Sequence, residues 1–485
     1  MRSFDSGPDM AAVLTNVAIP ALDPKRFEAV LDAHALASWR ELSSRAANEL
    51  EGRVIWNVNS TARGGGVVEL LQPLLGYSRG AGVDARWLVI SGVPEFFALT
   101  KRLHNRLHGI DGDGGGLGRR EHQLYERNLA RNAAEIVTLV KPGDFVILHD
   151  PQTAGLLRAV ADTGATVIWR CHVGLDVAND TAREAWSFLA PYVLGAAGYV
   201  FSRAAFAWDD LDPDRITVIR PSIDAFSPKN ADQSVDQSHA ILVRAGVIGG
   251  RAGATAAFTR ADGTRGRVDR RAELLEDAPL AANDPVVAQV SRWDRLKDPL
   301  GVLQGFADHI APASDAHLLL AGPATEAVSD DPEGAAVFSS VRAHWADLRD
   351  SVRRRVHLAS LPMADLEENA AIVNAVQRHA DVVVQKSLAE GFGLTVAEAM
   401  WKQRAVVASS VGGIQDQIVD GRSGVLVSDP HNLREFGEAV LGLLADRDRS
   451  TAIGVAARER VRSEFLGPVS LANYFALITQ LIADA

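Results

Sequence analysis

Two series of short β-branched or aromatic runs, each set off from the next by a helix-length stretch, constrain the fold of this chain more than any other feature. The first series reads RVIWNV (53–58), RWLVIS (86–91), FVILHD (145–150), TVIWRC (166–171), YVFS (199–202) and ITVI (216–219). The second reads PVVAQVS (285–291), HLLLAG (317–322), RVHLAS (355–360), DVVVQ (381–385), AVVASS (405–410) and GVLV (424–427). Such alternation is the signature of βαβ units wound around a parallel sheet. Two series predict two sheets, and 485 residues are too many for one ordinary core. The expected fold class is α/β, with two Rossmann-like doubly wound domains. A hinge between them would put the strand ends, and any ligand, at the cleft they face.

Between the two series, from about 229 to 283, Gly, Ala, Arg and Asp dominate and no buried strand series stands out. The reading is a first domain over 1–222, a linker carrying a part-helical insertion over 223–283, and a second domain over 284–468. The final stretch, 469–485, reads as a helix packing back on the first domain, and the first 50 residues as partly helical and without a motif.

Charge excludes whole classes of partner. A formal net charge of −11 and a pI near 5.7 are wrong for a nucleic-acid or anionic-membrane surface, so any phosphate site must be local. The single cysteine, Cys171, cannot form an internal disulfide. No leader pattern opens the chain, and no apolar run approaches the roughly 20 residues of a membrane helix. A soluble cytoplasmic protein is expected.

Five motifs could carry chemistry. In QKSLAEGFGLTVAEAMW (385–401), Glu390 and Glu398 stand eight positions apart around a glycine turn between a strand and a helix. Such a turn leaves backbone N–H groups and helix partial charge facing an anion. Thr395 to Glu398 also fits a capping box, which would give Glu398 a purely local role. NVNSTARGGGVVELL (57–71) runs a strand into Gly64, Gly65 and Gly66, a ligand loop or a mere flexible turn. In QVSRWDRLKDP (289–299), Arg292 and Lys297 flank a turn beyond a strand, placed for a diphosphate unless they are only solvated charges. LHDPQTAGL (148–156) sets His149 and Asp150 at a strand end, where Asp150 before Pro151 could instead cap a helix. IWRCHVGLD (168–176) sets His172 just after a strand, a structural hydrogen-bonder unless context says otherwise, with Cys171 turned to the core. No metal-ligand spacing, P-loop or nucleophile elbow occurs.

Taken together, these motifs resemble family 4 of the retaining glycosyltransferases, which have the GT-B architecture. The resemblance is carried by EGFGLTVAEAM (390–400), SRWDRLKDP (291–299) and VGGIQDQIVDGRSGVLV (411–427). More narrowly, NVNSTARGGGVVELL, VISGVPEFFALTKRLHNRLHG (89–109), HDPQTAGL, WRCHVGLD and RPSIDAFSPKN (220–230) look like the trehalose glycosyltransferring synthases. The resemblance implies that Arg292 and Lys297 hold the donor diphosphate, Glu390 the donor glucose and Glu398 the ribose. Gly393 and Leu394 would offer N–H groups to phosphate, and Gly65 and Gly66 would approach the donor. His172 would contact the transferred sugar, Asp150 would orient acceptor glucose, and Lys101 and Asn105 lie in a segment on the acceptor side. One departure is Asp298, where many relatives have glycine after the motif lysine.

The implied reaction joins glucose from a nucleotide-glucose, UDP-glucose or ADP-glucose among the candidates, to free glucose with retention, giving trehalose. No metal is obligatory, the nucleotide sugar being a co-substrate. The rivals are a retaining trehalose phosphorylase, which would have no ribose for Glu398 to hold, and a non-catalytic sugar-nucleotide sensor. The expected partners are small molecules, with no nucleic acid and no membrane; a homodimer is compatible with the sequence.

Overall fold

The computed structural model describes residues 13–62, 65–251, 255–324 and 332–484. The chain divides into two compact units, Met1–Arg220 with Ser470–Ala485, and Pro221–Val469.

The first unit is built on a seven-stranded sheet of β1 (Thr15–Val17), β2 (Ile55–Asn59), β3 (Ala85–Val89), β4 (Phe145–His149), β5 (Thr166–Cys171), β6 (Gly198–Phe201) and β7 (Ile216–Val218). Its order is β1-β3-β2-β4-β5-β6-β7, parallel throughout except for β1, which pairs antiparallel with β3 at the edge. The chain starts the parallel set at β2, adds β3 on one side and then crosses to β4 on the other. The carboxyl ends of β2 and β4 therefore flank the point where the winding reverses, the place where open sheets hold ligands.

Both faces of this sheet are buried, which is why its strands read as nearly continuous apolar runs. Trp56, Val58, Leu148, Trp169 and Phe201 face a core that includes Phe96 and Tyr125. On the other face Ile55, Asn57 and Ile147 meet helix Gly66–Gly80 and helix Gly467–Ala483. Leu70, Leu74, Leu471, Tyr474 and Phe475 close that side around a cavity of about 30 Å³.

The second unit repeats the plan with β10 (Glu273–Leu275), β11 (Val286–Val290), β12 (His317–Pro323), β13 (Val356–Leu361), β14 (Val382–Gln385), β15 (Ala405–Ser409) and β16 (Val425–Val427), in the order β10-β13-β12-β11-β14-β15-β16. All pairings are parallel except β10 with β13. Here the winding reverses between β11 and β14. Val287, Leu318, Leu320, Val382, Val384 and Phe306 belong to its core.

The stretch 223–283 is not a linker. It lies within the second unit. Helix Val235–Ala245 is capped by the Ser234 side chain and ended by Gly246 at φ 77°, and it packs on helix Leu366–His379. The hairpin of β8 (Ala257–Thr259) and β9 (Arg265–Arg267) is held by Arg260, which bonds Asp365 and Glu367 at 2.7 Å each. Arg270 pairs with the buried Glu368. Strands of three residues that include Thr, Arg or Glu, the last an edge strand that exposes Glu273, show neither a period nor an unbroken apolar run, so the sequence hides them. Among the described residues no helix is long and apolar enough to cross a membrane.

Candidate active site

In the first unit the candidate residues gather at the ends of β2, β4 and β5. Asp150, directly after β4, adopts φ 62°, a left-handed conformation rare for a non-glycine residue. Its Oδ1 accepts the backbone N–H of His172 at 2.7 Å, so the carboxylate ties β4 to β5 rather than capping the short helix Asp150–Thr153. Burial pushes its pKa up to about 7, against the lowering effects of the His172 N–H and the Arg170 charge.

A chain of side chains runs behind it. Asn57 Oδ1 accepts from His149 Nε2 at 3.0 Å, which leaves His149 Nδ1 bare to accept from His172 Nε2 at 3.1 Å. The two rings stack with centroids 5.4 Å apart. Desolvation, reinforced by Arg170, pushes the His149 pKa down to about 3 and that of His172 well below its usual value, so both rings are neutral. His172 then presents Nδ1 as an acceptor for a hydroxyl.

Arg170, which sequence reasoning passed over, is fully buried on β5. Its Nη2 donates to Ser202 Oγ at 3.1 Å, while Nε and Nη1 have no hydrogen-bond partner among the described residues. A cation inside an apolar strand run was the available signal. Tyr474 of helix Gly467–Ala483 senses both Arg170 and Asp150, and its own burial raises the phenol pKa. Cys171 is buried in the core, where desolvation raises its thiol pKa.

Gly65 caps helix Gly66–Gly80 at φ 85°, and an added Cβ would meet nothing within 4 Å, so the demand for glycine is conformational. Gly66 opens the helix; Gly64 lies outside the described residues. Lys101 is exposed and Asn105 half-buried on helix Pro94–Leu107. The latter packs toward Gly112, and among the described residues neither is bonded to the Asp150 and His172 group.

In the second unit the donor-side candidates sit after β11 and β14. Lys297 ends a single 3-10 turn, Arg295–Lys297, that follows β11. Gln289 Nε2 donates to the Lys297 carbonyl at 2.7 Å, and Leu388 N–H to the Leu296 carbonyl at 2.7 Å, so the turn is fastened to the loop beyond β14. Lys297 Nζ pairs with Glu390 Oε2, which also accepts from Ser387 Oγ at 3.3 Å. Arg292 is more exposed and lies 3.3 Å from Asp294 Oδ2.

Around Glu390 the backbone is moulded by glycines. An added Cβ on Gly412, at φ 48°, would stand 1.7 Å from the Glu390 carbonyl oxygen. Gln417 Nε2 donates to the carbonyls of Phe392 and Gly393 and fixes the turn from below. Gly393, at φ 84°, is the N-cap of helix Leu394–Trp401, which has no side-chain cap. Its first N–H groups, Leu394 included, are those an anion would meet.

The capping-box reading of Thr395 to Glu398 fails. The helix starts one residue before Thr395, whose hydroxyl bonds Gln385 Oε1 at 3.1 Å. Glu398 is then the fifth helical residue and only 2% exposed. Its Oε1 lies 3.6 Å from Lys229 Nζ, and its Oε2 has no hydrogen-bond partner among the described residues. Such a carboxylate oxygen is costly unless a donor arrives.

Asp298 occupies φ 48°, which explains why a glycine would suit the position. Its carboxylate does not stand free near a phosphate. It pairs with Lys386, buried beneath it, and accepts the Gly301 N–H at 3.0 Å to cap helix Pro299–Gly305. No cluster of three or more His, Cys, Asp or Glu side chains among the described residues is set to hold a metal.

Comparison with known proteins bears on the family and the fold. The family model "Trehalose synthase, N-terminal domain" matches residues 57–208, and "Glycosyl transferases group 1" matches 284–446. The trehalose synthase of Pyrococcus horikoshii is 34% identical over 435 residues, 90% of this chain and 92% of that protein. That of Rubrobacter xylanophilus is 32% identical over 465 residues, 92% of this chain and 97% of that one. Among solved structures, the α,α-trehalose 6-phosphate synthase of Burkholderia multivorans superposes with a TM-score of 0.65. At 15% identity, over 89% of this chain and 96% of that one, it speaks to the fold alone.

Proposed function

The chain belongs to the trehalose synthase group of the GT-B glycosyltransferases, and on that premise we propose that it transfers glucose from a nucleoside-diphosphate glucose to free glucose, with retention, to give trehalose and a nucleoside diphosphate. The observation that carries the nucleotide part of this reading is Glu398 Oε2, a buried carboxylate oxygen awaiting a donor. A ribose hydroxyl supplies one, whereas inorganic phosphate, the co-substrate of a phosphorylase, brings no ribose.

The remaining roles follow from charge and hydrogen-bonding capacity. The diphosphate lies over the start of helix Leu394–Trp401, where backbone N–H groups and helix partial charge favour an anion. Lys297 keeps its bond to Glu390 and donates its other protons to the diphosphate, each such bond contributing about 1.5–3 kcal/mol. Glu390 accepts hydroxyls of the donor glucose through its other oxygen. Arg292, beside the same turn, adds a planar pair of donors.

As the bond between the anomeric carbon and the diphosphate breaks, negative charge grows on the leaving oxygen, and the two cations are in place before it does. That oxygen then takes the proton of the acceptor hydroxyl, whose oxygen bonds the anomeric carbon on the same face. The donor linkage is α and trehalose is α,α-linked, so retention is required. Asp150 accepts a hydroxyl of the acceptor glucose, and neutral His172 one of the transferred sugar. The chemistry needs no obligatory metal ion, because the side-chain cations balance the charge.

The test is to run the reaction backwards. Purified protein given trehalose and UDP, ADP or GDP should release glucose and a nucleotide-glucose. Release of glucose 1-phosphate from trehalose and phosphate alone would reject the reading.

A further inference from the structure

The ion partner of Glu398 comes from RPSIDAFSPKN, a stretch to whose residues the sequence assigned no role. Lys229 lies in the irregular stretch that opens the second unit, and its flanks are fastened on both sides. Asn374 Nδ2 donates to the Pro228 carbonyl at 3.0 Å and to that of Ala231 at 2.8 Å. Arg378 Nη2 donates to the Ala231 carbonyl at 3.1 Å, and Trp401 Nε1 to that of Asn230 at 3.2 Å. Lys402 Nζ donates to Asn230 Oδ1 at 3.0 Å. Helices Leu366–His379 and Leu394–Trp401, with the Lys402 that ends the latter, thus grip the residues around Lys229 and aim its side chain at Glu398.

A purely structural pairing would look different. Its geometry would be tight and both carboxylate oxygens satisfied, since a buried pair otherwise gains little over apolar packing. Here Oε1 stands 3.6 Å from the ammonium and Oε2 has no partner among the described residues. Lys229 keeps 21% of its side chain exposed against 3% for Glu398, so the cation is the solvent-side member. A single hydroxyl can complete this arrangement by donating its hydrogen to Glu398 and accepting one from Lys229.

We propose that Lys229 is a donor-binding residue that reads a ribose hydroxyl of the nucleoside diphosphate together with Glu398. The assignment rests on the nucleotide-sugar reading of the second unit. It makes Lys229 a determinant of ribose over deoxyribose, because a deoxy nucleotide leaves both the ammonium and the carboxylate without their shared partner.

Binding of UDP, ADP and GDP, and of their 2′-deoxy and 3′-deoxy forms, to the full-length protein by calorimetry tests this. The wild type should favour ribose over one deoxy form by about tenfold or more. K229M should bring that ratio close to one and raise the KM for donor, with the KM for glucose unchanged; K229R should restore part of the preference. If K229M does not fold, K229Q supplies the same ratio. A ratio unchanged in K229M or K229Q overturns the role of Lys229 alone. A wild-type protein that binds none of the three nucleotides overturns the nucleotide-sugar reading and this assignment together.

Discussion

Asp150 holds a strained backbone angle and a shifted pKa at once, and both follow from its place at the end of a buried strand. Its carboxyl, raised to about 7, is neutral below that pH and ionised above it. On the proposed reading, acceptor binding through the ionised form is therefore present above about pH 7 and lost as pH falls through it. A pH profile of kcat/KM for glucose should show an acid limb near 7; D150N should abolish that limb and raise the KM for glucose. A limb that persists in D150N would assign it to another group. Lys297 predicts a different signature. On the proposed reading it meets charge that grows as the donor bond breaks, so K297A should lower turnover by about 10²–10³ while circular dichroism shows a folded protein.

These two residues were legible in the sequence because strand-end position and motif spacing name them. Arg170, Lys229 and Lys386 were not. Arg170 sits inside a run read as apolar, Lys229 near the end of RPSIDAFSPKN where a linker was read, and Lys386 inside a motif whose glutamates drew the chemistry. Each is a charge whose meaning depends on a partner distant in sequence: Ser202, Glu398 and Asp298.

At the scale of elements, the turn after β11 shows how a carboxylate is accommodated where the resemblance leads one to expect glycine. Asp298 bears a left-handed angle that glycine would adopt freely, and in exchange caps helix Pro299–Gly305 and neutralises Lys386, which is 1% exposed. D298G should therefore destabilise the protein, although glycine suits the backbone there. Leaving a buried ammonium without its carboxylate costs about 3–5 kcal/mol, and relief of backbone strain returns about 1. Urea unfolding should show a net loss of roughly 2–4 kcal/mol. Adding K386M to D298G should recover much of it, whereas a double variant no more stable than D298G would show that the pair is not the cause. Sequence placed the helix after β14 within one residue but misassigned its cap. A glycine at φ 84° starts it, a geometry that hydroxyl-and-carboxylate patterning does not reveal.

For the whole molecule, all twelve apolar runs of the sequence became strands, most of them buried on both faces and therefore apolar along most of their length. What escaped were β1 and β8 to β10, three residues each. The two sheets, each taken alone, put candidate residues at their own reversal of winding: Gly65 and Asp150 after β2 and β4, Lys297 and Glu390 after β11 and β14. The end of the chain matters to the first unit, where Leu471, Phe475 and Ile478 are buried, each contributing about 1.5–3 kcal/mol. A chain ending at Val469 should leave residues 13–220 open to limited proteolysis while 221–469 resists it. Equal resistance of both would contradict the assignment of that helix to the first unit's core.

The most direct measurement gives the protein UDP-, ADP- or GDP-glucose with free glucose labelled with ¹³C at carbon 1, and follows the product by NMR. α,α-Trehalose should appear at the rate of nucleoside diphosphate release with at least one donor, both anomeric centres in the α configuration. A β linkage at the transferred glucose, or no disaccharide from any of the three donors, would contradict retaining transfer from a nucleotide sugar.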